Sequence, residues 1–178
     1  SNAVLSYEPY VKRWGDVQAW SWGDVHYYNY DADCEDRTTY PQGRFVSEHG
    51  FQSFPSFRLY RNVTAPADWS RESSQLFYRQ RHEHGNEQVL AMIGRHYAVP
   101  PANASDAATQ QQIFDDYLWL TQLQQARCYE TAFSHWRRGR SSAAHTMGIL
   151  YWQLNAIWQG PDWSTIEYDG RLRLAHHA

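Results

Sequence analysis

The sequence predicts an α/β fold in which parallel strands are joined by long, mostly helical crossovers. Two observations lead there. Short β-rich segments recur far apart with helix-patterned stretches between them, and no pair of them is separated by a short hairpin turn. The 178 residues have the size of one domain with one core.

The first strand candidate is "WGDVHYYNYD", Trp22 to Asp31, where Val and Tyr alternate with polar residues before the turn-prone "DADCED". The second is "GRFVSEHG", Gly43 to Gly50, a short apolar run that ends at Glu48. Residues 65–85, "APADWSRESSQLFYRQRHEHG", read as a helix with Asp68 or Ser70 as its cap and Gly85 as its stop. "NEQVLAMIGRHYAV" reads as a second helix, closed by Pro100 and Pro101. From about Asp106 to Arg138, Ile113, Tyr117, Leu120, Leu123, Ala126 and Phe133 recur at helical spacing. They predict one apolar face, with the Gln and Asp residues between them on the wet side. "HWRRGR", His135 to Arg140, is the one basic cluster and reads as the end of that helix. "HTMGILYWQLN", His145 to Asn155, predicts a buried strand. Residues 156–178 read as loop with a helical or extended tail that leaves His176 and His177 in solvent.

Three strands cannot close a sheet, and a (β/α)8 barrel takes about 250 residues and eight strands. The pattern is therefore that of the C-terminal portion of a TIM barrel. The opening Ser1-Asn2-Ala3 reads as a remnant of tag cleavage, so residues 4–178 are expected to begin inside a longer protein. Exposed barrel edges would favour a homo-oligomer.

Composition narrows the partners. A net charge of −3 with Lys12 as the sole lysine provides no basic stripe for phosphates, so no nucleic acid is expected. No apolar run reaches the ~18 residues that would span a membrane. Aromatics make up 16% of the chain; they fit either stacking surfaces for rings, sugars included, or a core that continues outside this chain. Cys34 and Cys128 neither demand nor exclude a disulfide. The sequons at Asn62 and Asn103 would accept glycans in a secretory pathway, placing a eukaryotic parent in the lysosome or outside the cell.

In an α/β barrel the working residues sit at the C-terminal ends of strands. That rule puts Tyr28 and Tyr30 at the end of the first strand, Glu48 at the end of the second, and Trp152 and Asn155 at the end of the third. By itself Glu48 could be an exposed loop carboxylate. Set among Tyr, Trp and His residues, it suits glycosidase chemistry, where a carboxylate meets the anomeric carbon and an indole stacks on the ring.

"RFVSEHGFQSFPSF" and "HTMGILYWQLNAIWQGPDWSTIEYDGRLRLAHH" resemble the β-mannosidases of glycoside hydrolase family 2. The family pattern runs Arg-Phe-x-Ser-Glu-Tyr-Gly-aromatic-Gln-Ser and later Gly-x-Leu-Tyr-Trp-Gln-Leu-Asn-Asp-x-Trp, and "GDVHYYNY" is similar to its sixth strand. The resemblance implies a retaining exo-glycosidase that removes terminal β-mannose from oligosaccharides, with strands six to eight of the barrel in this chain. It implies Glu48 as nucleophile, Trp152 in the sugar platform, and Tyr28 or Tyr30 with His26 as neighbours of the carboxylate. No metal or other cofactor is implied. His49 stands where the family has Tyr, beside the nucleophile, and Ala156 where it has Asp.

The family's acid/base is an Asn-Glu pair upstream of the nucleophile. Asn86-Glu87 comes after it instead and reads as ordinary helix-start grammar. "HEHG", His82 to Gly85, lacks the spacing of a zinc helix. The proton donor is thus expected outside this chain, and the chain alone is expected to be inactive. Two other functions fit the same residues: another family 2 exo-glycosidase such as an exo-β-glucosaminidase, or a non-catalytic carbohydrate-binding module.

Overall fold

The computed structural model describes residues 24–178. The tag remnant read at residues 1–3 and the Trp22–Gly23 start of the first strand candidate lie outside them. The described residues divide into two compact units, one built from residues 24–50 and 130–152, the other from residues 51–129 and 153–178.

The first unit carries a three-stranded sheet in the order β1 (Asp24–Tyr27), β2 (Phe45–His49), β3 (Gly148–Ile149), with both pairings parallel. The expected α/β arrangement is thus present, with one difference in its connections. Between β1 and β2 there is no α-helix, only a 3-10 turn at Arg37–Thr39. Aromatic side chains hold this connection instead. Tyr27, Tyr40 and Trp136 pack edge-on or tilted at 5.2 to 6.2 Å within a core of Val25, Val46 and Ala132. Each donates its polar tip to a loop carbonyl: Tyr27 Oη to Thr39 O at 2.6 Å, Tyr40 Oη to Cys34 O at 2.7 Å, Trp136 Nε1 to Pro41 O at 2.8 Å. A buried aromatic with a satisfied tip orders a loop that has no ladder of its own.

The third strand corrects the expectation of a long buried strand. Only Gly148 and Ile149 are strand, and Met147 and Leu150 are 72% and 55% exposed. The segment still tracks β2, through Met147 N to Arg44 O, Leu150 N to Val46 O and Trp152 N to His49 O at 2.7 to 2.8 Å. Gly148 sits opposite Phe45, and a Cβ there would come within 2.2 Å of its ring. Glycine is what lets the two backbones pair at that point.

The second unit holds the helices α1 (Phe57–Tyr60), α2 (Ser74–Arg79) and α3 (Gly85–His96), and α4 (Ala107–Gly139) runs through both units. The single helix expected over 65–85 is broken into a 3-10 turn at Pro66–Asp68 and the six-residue α2. Asp68 and Ser70 do not cap a continuing helix; their side chains accept from Ala65 N and Glu72 N and close local turns. Short polar side chains compete with the helix for backbone donors in this way. Ser73 is the cap of α2, and Gly85 opens α3 instead of stopping a helix. Asn86 and Glu87 fall in the first turn of α3, and Arg137 and Arg138 in the last turn of α4, as expected.

In α4 part of the side expected to be wet is interior. Gln122, Gln124 and Gln125 are buried, while Leu120 and Leu123 are only half-buried. The glutamines are interior because loops without ladders need donors. Gln125 Nε2 donates to Phe51 O and Ser164 O, and Gln122 Nε2 to Phe54 O and Glu167 Oε1. The tail is likewise more than a solvated end. Arg173 and Ala175 are buried, and Thr165 Oγ1 and His176 Nδ1 lie 3.0 Å apart. Neither cysteine is a free thiol, and no described helix is long and apolar enough to cross a membrane.

Candidate active site

On β1, Asp24, His26 and the following Tyr28 alternate with the core residues Val25 and Tyr27, so they share the face away from the core. Regular alternation on β2 would put Glu48 on the same face as Val46, in the core. The register prevents this. Val25 pairs with Val46, but His26 pairs with Glu48, leaving Ser47 as one extra residue in β2. Such a bulge shifts the side-chain parity of everything after it. Glu48 is thereby turned out of the core towards His26, and His49 is turned in.

Glu48 is the penultimate residue of β2, about one third exposed. Tyr28 Oη donates to its Oε1 at 3.0 Å, and His26 Nδ1 stands 3.8 Å from the same oxygen. The other ring nitrogen of His26, Nε2, is 3.2 Å from Asp24 Oδ2. One hydrogen-bond donor, Tyr28, and the edge of one imidazole beyond hydrogen-bond distance thus converge on one carboxylate oxygen. The other oxygen, Oε2, has no hydrogen bond among the described residues. A carboxylate held by one oxygen and open at the other is geometrically suited to attack or to stabilise a cation.

Of the two tyrosines left open by the sequence, Tyr28 makes this hydrogen bond; Tyr30 lies three residues past β1, half-buried. Trp152 is anchored beside the end of β2 through its peptide N–H on His49 O at 2.8 Å, with its indole about half exposed. Asn155 belongs to the second unit, where its Nδ2 donates to Ala156 O at 3.2 Å. Ala156 is buried, with its N–H donating to Ile166 O at 2.8 Å. Sequence reasoning misses Asp24, although its spacing of two from His26 on a strand is the available signal. A cavity of about 400 Å³ in the same unit is lined by Arg37, Gln42, Arg138 and Thr146 among others. These residues precede β2 and β3 or end α4, and Glu48 is not among them.

His49 is corrected by the same bulge. It does not lie against the Glu48 carboxylate; it is buried, with its ring 4.8 Å from Trp136 and 5.2 Å from Phe133. Burial pushes its pKa down to about 3 from an ordinary 6.5. A depressed folded-state value means the contribution is fully present above pH 6.5 and is lost as pH falls from 6.5 towards 3. The full loss, reached only near pH 3, is on the order of 5 kcal/mol. We expect His49→Phe to reduce the drop in unfolding temperature between about pH 7 and pH 5. Equal drops in both proteins would show that His49 does not titrate with unfolding.

No family model matches the chain. The β-mannosidase of Capra hircus is 44% identical over 161 residues, 88% of this chain and 18% of that protein. The chain is related to the β-mannosidases. The Mus musculus β-mannosidase is 39% identical over 177 residues, 97% of this chain and 19% of its own length. The crystal structure of a β-D-mannosidase from Dictyoglomus thermophilum superposes with a TM-score of 0.73 at 25% identity, covering 89% of this chain and 18% of that one. The chain thus spans less than a fifth of the β-mannosidases it matches, and with the Dictyoglomus thermophilum protein the likeness extends to the structure of the matched part.

Proposed function

We propose that this chain is part of a retaining exo-β-mannosidase of glycoside hydrolase family 2, contributing the nucleophile Glu48 and the C-terminal strands of its (β/α)8 barrel. The observation that carries this reading is Glu48 itself. It stands at the C-terminal end of a parallel strand with Tyr28 on one oxygen and the other open, in a chain related to β-mannosidases. Further support for the barrel comes from the apolar residues at the outer strand, Met147 and Leu150, which are exposed here and which a neighbouring strand would cover.

In this mechanism Glu48 Oε2 attacks the anomeric carbon while the glycosidic oxygen leaves with a proton from a second carboxylic acid outside this chain. A mannosyl ester forms on Glu48. Water, deprotonated by the now-ionised second carboxylate, then attacks the same carbon and releases Glu48 as a carboxylate. Two displacements give net retention, with the two carboxyl groups about 5–5.5 Å apart. Tyr28 keeps Oε1 from competing for the sugar, and Trp152 offers an exposed indole face for a ring to stack on.

The test is a substrate panel on the full-length protein. Aryl β-mannoside should be hydrolysed in preference to aryl β-glucosaminide, with β-mannose as the first product seen by NMR. Preference for the glucosaminide would overturn the sugar assignment, and binding without turnover would favour a carbohydrate-binding module. The 178-residue chain alone should show no turnover, because the proton donor lies elsewhere.

Lysosomal or secreted residence fits two features: both sequon asparagines, Asn62 and Asn103, are exposed, and neither cysteine is free. Glycosidase treatment of the protein from its native cells should lower its mass; no change would count against this placement.

A further inference from the structure

We propose that Asp24 is a positioning residue for the glycosidase reaction, acting through His26 to keep Glu48 Oε1 held and Oε2 free; this rests on the mannosidase reading above. Asp24 and His26 are two apart on β1 and share the face that carries Tyr28, so the aspartate reaches the imidazole without leaving the sheet. Asp24 Oδ2 lies 3.2 Å from Nε2, and the opposite ring edge, Nδ1, faces Glu48 Oε1 at 3.8 Å. A ring tied at one nitrogen by a carboxylate has its flip and orientation determined, as in other sites where a second group orients a histidine. Without Asp24 the imidazole loses that tie, and the hydrogen bond from Tyr28 is left to orient the nucleophile.

A second observation separates Asp24 from a residue kept for the fold. Its other oxygen, Oδ1, is buried with no hydrogen-bond partner among the described residues. A carboxylate oxygen in that condition destabilises the folded state, and such groups in native proteins call for a role beyond packing. The Asp24–His26 contact on the face of Glu48 provides one. His26 is about one quarter exposed, so it is not held by packing alone.

The experiment is a double-mutant cycle in the full-length enzyme. Asp24→Ala should lower kcat by roughly tenfold with KM within about twofold. Asp24→Asn, which keeps an acceptor towards Nε2, should recover most of that loss and also guards against a folding defect in the alanine variant. His26→Ala should cost about as much as Asp24→Ala, and the double variant should be no worse than His26→Ala, because the two act as one unit. Losses that simply add, or an Asp24→Asn protein as slow as Asp24→Ala, would overturn the assignment while leaving the mannosidase reading intact. Failure of the unsubstituted enzyme to hydrolyse the mannoside would overturn both.

Discussion

Full-length protein carrying Glu48→Gln is expected to lose about 10⁴-fold or more in kcat on aryl β-mannosides, while its fold is retained. On the proposed mechanism the size reflects removal of the nucleophile, since the remaining groups would supply only binding and electrostatic assistance. Retention of the fold comes from position. Glu48 is about one third exposed on the face away from the core, and an amide oxygen can still accept from Tyr28 Oη. Circular dichroism and unfolding temperature should therefore match those of the unsubstituted protein within the spread of surface substitutions. A variant that keeps a tenth of the activity would remove Glu48 from the mechanism. A variant that loses activity and stability together would make it a structural residue.

The second large effect is on stability. Arg173→Met is expected to destabilise the second unit by about 3–5 kcal/mol, the cost of breaking a buried ion pair from one side. The Arg173 side chain is fully buried, with Nη1 2.8 Å from Asp162 Oδ1 and 3.1 Å from Ser53 Oγ, and Nε 3.9 Å from Glu167 Oε1. Both carboxylates have other donors: Ser164 Oγ and N on Asp162, and Ser56 N, Ser56 Oγ and Gln122 on Glu167. Those hydrogen bonds hold the acids in place, so loss of the guanidinium leaves their charge buried. Urea unfolding followed by tryptophan fluorescence measures the change. Adding Asp162→Leu should restore part of the loss, because the uncompensated charge goes with it. A single-variant loss under about 1 kcal/mol would show that the pair is not what holds Ser53 and the tail together.

Glu48 and Arg173 mark the two ends of legibility in the sequence. The strands β1 and β2 are visible as short alternating runs, and α4 as a long helical period, because local propensity and burial agree there. The role of Glu48 as nucleophile is what we propose; its place at the end of β2 is legible because the short apolar run stops there. The bulge at Ser47 is not, since one extra residue leaves no trace in composition and yet reverses every side chain after it. That is why His49 reads as a neighbour of the carboxylate and is instead a core residue against Trp136. Arg173 and the glutamines of α4 escape sequence reasoning for a related reason. Their partners lie up to 120 residues away, and a polar residue satisfied at long range looks like a surface residue in sequence. Parity does not resolve Tyr28 from Tyr30, which are two apart; Tyr28 follows β1 directly and its phenol reaches Glu48, whereas Tyr30 lies three residues past the strand.

The most direct measurement is covalent trapping. The full-length protein incubated with a 2-deoxy-2-fluoro-mannosyl fluoride should accumulate a stable glycosyl ester. Tryptic digestion and mass spectrometry should find it on the peptide Phe45–Arg58, with fragmentation placing the sugar on Glu48. Active enzyme with the label on another carboxylate, or with no label at all, would contradict Glu48 as the nucleophile.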